Sequence, residues 1–329
     1  MSELRWHPLR QEWVITATHR MDRTYKPPQD FCPLCPTKPG AFPTEVPAED
    51  YEIVVFQNKF PSLQPSPPEP DVSGTSLTPV ELSAGECEVV LYSSRHNGTL
   101  AEESVTHIRN LIRVWKDRYL ELGSRDEIEY VFIFENKGDA VGVTLHHPHG
   151  QIYAFPYIPP VQRQELAALR AHRQNTGRCL VCDIAGEEQT DGRRVIADGE
   201  HFLAVVPFYA RYPYEVHILA KEHKSSLGAL DAGNEWDLAR ILKLVMLKYD
   251  ALFGFSLPYI MSIHQAPTGG GYKGEGHLRF EFYPLHRSAD RLKYLAGVES
   301  AAGTFINDSA PEAKAEELRE AGPKTICEI

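Results

Sequence analysis

Residues 142–156 read GVTLHHPHGQIYAFP and contain three histidines within four positions. Side chains two residues apart project to the same face of an extended segment, so His147, His149 and Gln151 can point together. The proline and the glycine between them also permit a bend, which would turn His147 toward a metal ion and leave His149 facing a pocket. The stretch therefore predicts a strand that carries a chemical centre at its start.

Outward from this stretch, short Val-rich or aromatic runs bounded by turn residues predict further strands. Apolar positions three and four residues apart predict helices over residues 101–122, 161–173 and 234–253. Strands that occur in pairs around one helix favour an α+β fold, with a largely antiparallel sheet and flanking helices. The predicted strands are residues 52–56, 87–92, 130–135, 151–155, 202–206, 215–219, 259–263 and 277–283.

The same order of residues occurs twice. A CxxC motif at residues 32–35 is matched at 179–182, and a Glu-to-His step at 88–96 is matched at 215–223. A further histidine then opens a strand in each half. We therefore predict two duplicated halves that resemble each other in fold. The N-terminal half, 1–165, would carry the HPHGQ motif and a first metal site, and the C-terminal half, 166–329, a second metal site.

Each half offers two cysteines and two histidines, the ligands that close a tetrahedron around a structural zinc ion. Neither set leaves an open position, so we expect no metal-bound water that could hydrolyse a substrate. A redox or buried thiol pair is the alternative for either CxxC motif, and Glu165, His264 and Glu281 could form an alternative site. The predicted ligands of two Zn²⁺ ions per chain are Cys32, Cys35, His96 and His147, and Cys179, Cys182, His223 and His277.

His149 is the candidate nucleophile. An imidazole can attack a phosphoryl group and form a covalent phosphoramidate, which divides one transfer into two steps. The small Gly150 would let a phosphate approach the backbone, and the neutral Gln151 can form hydrogen bonds without supplying a proton as an imidazolium would. The alternative is that the histidines form an exposed tract that binds stray metal.

Composition limits the class of protein. Among 329 residues, 34 basic and 45 acidic side chains give a net charge of −11, which argues against nucleic acid as a partner. No apolar run approaches the roughly 20 residues of a membrane span, and we expect no signal peptide. CxxC pairs without a dense disulfide framework favour metal chemistry in a reducing compartment, so we expect a cytoplasmic protein that does not bind membranes.

The HPHGQ motif, in this context, resembles the signature of the galactose-1-phosphate uridylyltransferases, the transferase branch of the histidine-triad superfamily. The resemblance covers nearly the whole chain. It implies a ping-pong reaction in which His149 takes the uridylyl group of UDP-glucose, releases glucose 1-phosphate and passes the group to galactose 1-phosphate. Further matching segments are HRMDR (19–23), CPLC (32–35), NKFPSL (58–63), FENKG (134–138), HQAP (264–267) and KYLAGVES with FIND (293–308).

The resemblance also implies roles for other residues, and a homodimer whose subunits share their sites. Gln151 would bond a phosphoryl oxygen beside His149. Basic residues reaching the nucleotide would be Arg20 and Arg23. The nucleotide and its phosphates would lie against Asn58, Lys59, Phe60, Asn136, Gly142, Val143 and Thr144, and the sugar phosphate against Lys293, Tyr294, Val298 and Glu299.

The chain also departs from the family pattern. Better-known bacterial members carry HAHFYP where this chain has RFEFYP at 279–284, so two histidines of their second, iron-type site are absent. The set Cys179, Cys182, His223 and His277 instead resembles the two-zinc arrangement of some relatives, so we expect zinc at that set and not iron. An adenylyl-preferring transferase or phosphorylase acting on ADP-glucose is the main alternative. A dinucleotide hydrolase is disfavoured because Gln151 replaces a histidine, and a non-enzymatic zinc-binding protein would leave the HPHGQ motif unexplained.

Overall fold

A computed structural model describes residues 2–24, 31–269, 271–272 and 275–329. Its strands include every predicted one, with bounds shifted by a few residues. Six short strands that the sequence pattern did not reveal lie at residues 2–7, 12–17, 80–82, 195–198, 286–288 and 291–292. The strands are β1 (Ser2–His7), β2 (Glu12–Ala17), β3 (Val54–Gln57), β4 (Val80–Leu82), β5 (Glu86–Leu91), β6 (Tyr130–Lys137), β7 (His149–Phe155), β8 (Val195–Asp198), β9 (Phe202–Val205), β10 (Val216–Ala220), β11 (Tyr259–His264), β12 (Arg279–Pro284), β13 (His286–Ser288) and β14 (Arg291–Leu292).

The three predicted helices are present. Of two further helices, one begins inside the second CxxC motif and the other lies near the C-terminus. Ser104 caps the first helix by accepting a hydrogen bond from the His107 backbone N–H. Asp231 and Asn234 form a reciprocal capping box on the fourth. The helices are α1 (Val105–Gly123), α2 (Pro160–Thr176), α3 (Leu180–Asp191), α4 (Ala232–Leu252) and α5 (Pro311–Glu320).

In the described part of the chain, nine strands form one antiparallel sheet in the order β3-β5-β7-β6-β11-β12-β10-β9-β8. Strands β6 and β11 pair at its middle and join the two predicted halves into a continuous layer. The predicted α+β architecture with a largely antiparallel sheet is thus confirmed. A separate three-stranded sheet has the order β2-β1-β4.

The sheet register places one row of side chains across both halves. Because residues directly paired on neighbouring strands lie on the same face, every member of this row points to the same side of the sheet. Gln151 and Glu281 occupy matching places in the two halves of the row. From β3 to β9 the row is Phe56, Val89, Gln151, Phe134, Ser262, Glu281, His217 and Val205.

This register corrects one detail of the predicted repeat. The sequence match equated Glu88 with Glu215, but the sheet equates Val89 with His217, one residue out of step. A slip of one residue reverses the face on which a side chain lies. Accordingly, Glu88 accepts hydrogen bonds from Arg118 on α1, whereas Glu215 bonds His217 on the opposite face.

The two faces of the sheet are covered differently. Helices α1 and α4 pack against one face along both halves, around the fully buried Trp115 and Tyr249. On the other face, α2 and α3 bury Leu203 and Leu219 of the C-terminal half. The matching surface of the N-terminal half carries a cavity instead, and this asymmetry positions the candidate site.

Glu135 is a buried acid on the face of the sheet that α1 and α4 cover. Glu135 is 5% exposed, and its Oε2 accepts a 3.5 Å hydrogen bond from the Tyr259 hydroxyl. Burial raises the pKa of this carboxyl to about 7, although Lys137 and Tyr259 oppose the rise. A carboxyl whose folded pKa exceeds its unfolded value of 4.5 destabilises the fold as it ionises.

We therefore expect the contribution of Glu135 to the stability of the wild type to fall between about pH 4.5 and pH 7, where folding keeps this carboxyl protonated. Glu135→Gln should flatten this fall and raise the free energy of unfolding at pH 8 by up to about 3 kcal/mol. Urea unfolding at pH 5 and pH 8 measures the difference, with the exposed Glu127→Gln as control. Equal pH dependence in wild type and Glu135→Gln would contradict the assignment.

Candidate functional site

A cavity of about 350 Å³ lies against the open face of the N-terminal half, a volume typical of small-molecule sites. Its floor comes from the row described above, and a wall comes from the loop between β6 and β7. His149, at the start of β7, borders the cavity. The lining residues are Phe31, Pro33, Leu34, Glu45, Phe56, Asn58, Lys59, Phe60, Val89, Asn136, Gly142, Val143, Thr144, Leu145, His149 and Gln151.

The chain bends immediately before β7, as the Pro and Gly in the motif allow. His147 lies at the bend and is almost fully buried, whereas His149 faces the cavity. The Nδ1 of His149 lies 2.8 Å from the carbonyl oxygen of His147. Because a carbonyl can only accept, Nδ1 carries the proton and donates it, which places the imidazole lone pair on Nε2.

Gln151 lies on the same side of β7, two residues further on. Its side-chain amide is buried at the cavity, and its Oε1 has no hydrogen-bond partner among the described residues. A buried polar atom without a partner costs stability unless a ligand or water satisfies it. The amide can also turn to present its NH₂ group, so it suits a phosphoryl oxygen.

Gly150 is required for a reason other than the predicted one. A Cβ at this position would lie 2.1 Å from the Tyr92 hydroxyl, on the helix-covered side of the sheet. The glycine therefore makes room for Tyr92 in the core. The predicted explanation, that the missing side chain admits a phosphate, was wrong about the side of the strand on which space is needed.

The first Cys/His set converges as predicted. The Nδ1 of His147 lies 4.0 Å from Cys32 Sγ and 3.6 Å from Cys35 Sγ, and His96 Nδ1 lies 3.4 Å from Cys35 Sγ. Zn–S bonds of 2.3 Å and Zn–N bonds of 2.0–2.1 Å in a tetrahedron separate sulfur from nitrogen by about 3.5 Å. The four donors therefore fit a tetrahedral zinc ion, and we call this set the first cluster.

Surrounding groups orient His147 within the first cluster. Its Nε2 lies 2.8 Å from the Ser93 carbonyl oxygen and 2.6 Å from the Tyr51 hydroxyl, so Nδ1 is turned toward the sulfurs. Burial lowers the pKa of His147 to about 4 and keeps the ring neutral, the form that binds metal. Burial and then the Cys32 thiol raise the pKa of Cys35 to about 11, so paired thiolates here require a neutralising cation.

The second cluster, Cys179, Cys182, His223 and His277, repeats this geometry. Sulfur atoms of Cys179 and Cys182 lie 3.3 and 3.6 Å from His277 Nδ1. The Nε2 of His277 donates to the Ala220 carbonyl oxygen at 2.9 Å, as that of His147 does to Ser93. None of these four ligands lines the cavity beside His149.

The other predicted substrate-binding residues divide into three groups. Seven of them line the cavity, and among these Lys59 forms a 2.9 Å ion pair with Glu45. The second group consists of Arg20 and Arg23. Arg20 lies near the cavity and donates hydrogen bonds to the Phe60 carbonyl and the Tyr153 hydroxyl. The Arg23 side chain lies outside the described part of the chain. The seven are Asn58, Lys59, Phe60, Asn136, Gly142, Val143 and Thr144.

The third group lies near the C-terminus and does not reach this cavity. Lys293 is buried and pairs with Glu299 at 3.2 Å, while Tyr294 is 74% exposed. Val298 begins a short π-helix, Val298–Ala302, and is also exposed. The chain's own cavity is therefore formed without Lys293, Tyr294, Val298 and Glu299.

The apolar floor of the cavity was not identified from the sequence. Phe56 and Val89 lie in predicted strands, and alternation along each strand was visible in the sequence. Their pairing with Gln151 depends on strand order, which the pattern did not supply. Pro33 and Leu34 lie inside the first CxxC motif. The prediction that this motif and His147 bind one metal ion could therefore have indicated that both residues lie near His147.

Comparison with known proteins gives family matches in both parts of the chain. Residues 1–159 match the N-terminal domain of galactose-1-phosphate uridyl transferase, and residues 165–326 match the C-terminal domain. The chain is 40% identical to galactose-1-phosphate uridylyltransferase from Thermotoga maritima, over 97% of this chain and 98% of that protein. It is 33% identical to the Rattus norvegicus protein of the same name, over 96% and 86% of the two chains.

Solved structures agree with these matches. A uridylyltransferase structure superposes with a TM-score of 0.86 at 31% identity, covering 96% of this chain and 97% of that one. An ADP-glucose phosphorylase from Arabidopsis thaliana, solved with bound ADP-glucose, superposes with a TM-score of 0.73 at 26% identity and covers 98% and 99%. Among the helices of the described chain, none has the length and apolar character needed to cross a bilayer.

Proposed function

The chain belongs to the galactose-1-phosphate uridylyltransferase family, and we propose that it converts UDP-glucose and galactose 1-phosphate into glucose 1-phosphate and UDP-galactose through a uridylyl group carried on His149. The observation that supports this most is the orientation of His149 at the cavity, with Nδ1 held by the His147 carbonyl at 2.8 Å. A ring fixed in this way presents the same nitrogen, Nε2, in both half-reactions.

In the first step, the Nε2 lone pair attacks the α-phosphorus of UDP-glucose. A phosphorus–nitrogen bond forms, the bond to the bridging oxygen breaks, and glucose 1-phosphate leaves with that electron pair. In the second step, a phosphate oxygen of galactose 1-phosphate attacks the same phosphorus and the phosphorus–nitrogen bond breaks. The proton on Nδ1 stays in place throughout, so neither step needs a separate acid.

Gln151 suits the non-bridging oxygens of the transferred group. With its NH₂ group turned to the place where Oε1 has no partner, the buried amide can donate to a phosphoryl oxygen as charge develops there. Because an amide supplies no proton to a leaving group, it does not promote attack by water as a protonated histidine would. The nucleoside would lie along the apolar floor, between Phe56 and Val89, with Asn58 and Asn136 as polar partners.

We assign two zinc ions per chain to the two clusters, on the basis of their donor sets and spacing. A bound zinc ion would supply a closed, structural tetrahedron and no catalytic water. The chain's contribution to catalysis is that the bend at His147 places its carbonyl beside His149. Four ligand cysteines must be reduced for this role, which suits the cytoplasm as location.

We also propose a homodimer in which Lys293, Tyr294, Val298 and Glu299 contribute to the partner's site. They lie away from the chain's own cavity, and the large side chains of Tyr294 and Val298 are exposed. The sugar phosphate would then be held partly by each subunit. The main alternative, an adenylyl-preferring enzyme, is favoured only by the likeness to the ADP-glucose phosphorylase.

Intact-mass measurement separates the two activities. After mixing with UDP-glucose alone, the wild type should gain one uridylyl group per chain and release an equal amount of glucose 1-phosphate. ADP-glucose alone should label it far more slowly. His146→Ala, which changes an exposed neighbour, is the control and should label as the wild type does. Preferential adenylylation would favour the alternative, and no adduct with either nucleotide sugar would refute covalent transfer.

A further inference from the structure

The C-terminal half carries an arginine at the place that corresponds to His149. In the β5–β7 register, Leu91 lies opposite His149, and in the β10–β12 register Leu219 lies opposite Arg279. The duplicated sheet therefore holds two equivalent positions, one with an imidazole at an open cavity and one with a guanidinium. The second position is covered by α2, so its side chain serves a different purpose.

Around Arg279 lies a third group of metal-type ligands. Ligand atoms of Glu165, His264 and Glu281 lie within 4.8 Å of one another. The guanidinium lies among them: its Nη2 is 2.7 Å from a Glu165 oxygen and 3.1 Å from His264 Nδ1, and its Nε donates to Glu281 at 2.6 Å. One side chain thus contacts all three of the groups that could otherwise converge on an ion.

We infer that Arg279 is the resident cation of this third cluster and that its guanidinium excludes a divalent metal ion from it. A zinc-type ion would have to lie about 2.0–2.2 Å from each ligand atom. Guanidinium nitrogens already occupy hydrogen-bonding positions against both carboxylates. A doubly charged ion placed there would also face a permanent positive charge a few ångströms away. This inference is independent of the proposed uridylyl transfer.

The charges around the cluster agree with an internal cation. Burial alone would raise the pKa of Glu281, but His217, His264 and Arg279 hold it well below its usual range. Burial likewise opposes ionisation of Glu165, yet Arg279 and then His264 lower its pKa to about 2. Both carboxylates are thus ionised across the physiological range and need the compensation that Arg279 gives.

Arg279 also connects two parts of the C-terminal half. Its partner Glu165 lies on α2, which leads into the loop carrying Cys179, while His277 of the second cluster lies two residues before Arg279. The ion pair therefore fixes α2 over the sheet next to the second cluster. Arg279 is thus a positioning residue. Its side chain connects α2 to the sheet, as an ion bound by the same three ligands would.

The test is a metal count. Wild type, Arg279→His, Arg279→Gln and the charge-conserving control Arg279→Lys are stripped of metal, loaded with excess Zn²⁺, gel-filtered and analysed for zinc per chain. Arg279→His removes the guanidinium and adds a fourth ligand, so it should hold one ion more than the wild type. Arg279→Gln removes the guanidinium and leaves the three ligands, so it should also take up an added ion, whereas Arg279→Lys keeps a cation in the cluster and should hold no more than the wild type. No gain in Arg279→His would overturn the inference.

Co²⁺ serves as a second probe, because it reports the ligands of the added ion. The ion gained by Arg279→His should show visible absorption without a sulfur-to-cobalt charge-transfer band, since the third cluster has only oxygen and nitrogen donors. If Arg279→His does not fold, the comparison of wild type with Glu165→Gln decides the matter. Equal metal content supports the inference, and loss in Glu165→Gln of a Co²⁺ ion that has no sulfur ligands overturns it.

Discussion

His149→Ala is expected to abolish sugar-nucleotide exchange, with kcat lower by on the order of 10⁴-fold or more, the range seen when a covalent nucleophile is removed. Without the imidazole, transfer would need direct attack of one anionic phosphate on another, without an intermediate. Steady-state exchange between UDP-glucose and galactose 1-phosphate measures the loss. The same variant should gain no uridylyl group in the intact-mass experiment.

Binding should survive this substitution, which separates a chemical role from a structural one. His149 is partly exposed at the cavity, and its loss leaves the apolar floor of Phe56 and Val89 unchanged. The Kd for UDP-glucose, measured by calorimetry, should therefore change by only a few-fold. His146→Ala is the matched control because it deletes the adjacent imidazole, whose contact with Asp139 at 3.6 Å is exposed. Undiminished exchange by His149→Ala would rule out the covalent route.

The parts of this site that sequence predicted are those that depend on local spacing. A CxxC turn brings two sulfurs together within four residues, and HPH separates a buried histidine from one at a cavity by a bend. Both features follow from neighbouring residues alone. The convergence of His96 with Cys35 was inferred from duplication, since the same order of ligands occurs in both halves.

The parts that sequence missed depend on contacts distant along the chain. Phe56 and Val89 reach Gln151 only because β3, β5 and β7 are neighbours in that order. The repeat was read one residue out of step at Glu88 and Glu215, because equal spacing along the chain does not reveal on which face a strand residue lies. The pairing register of the strands shows on which face of the sheet a residue lies, and composition does not.

Arg279 illustrates the same limit at the level of charge. The sequence identified Glu165, His264 and Glu281 as alternative ligands, but more than a hundred residues separate Glu165 from Arg279. Only the packing of α2 over β12 shows that the guanidinium joins both carboxylates. A set of ligand-type residues therefore indicates a metal site only after nearby cations have been located.

The second large effect is expected at the first cluster, where Cys35→Ser should lower both stability and activity. Structural zinc sites contribute on the order of 10 kcal/mol to folding in small domains. Because the larger hydrophobic core of this chain also stabilises the fold, we expect a melting temperature lower by on the order of 10 °C. Metal content by mass spectrometry and thermal unfolding measure these changes, with the exposed Cys327→Ser as control.

Activity should distinguish the two clusters, because only the first is connected to the nucleophile. The His147 carbonyl holds His149, and Pro33 and Leu34 of the first CxxC turn line the cavity. Cys35→Ser should therefore lower kcat by up to about 100-fold, the upper end of the range for disturbed metal surroundings, even at temperatures where the variant is folded. Cys179→Ser should lose a metal ion and stability while the folded fraction keeps kcat within a few-fold. Equal losses of kcat in the two folded variants would mean that the metal clusters support the fold in general, and that neither specifically orients His149.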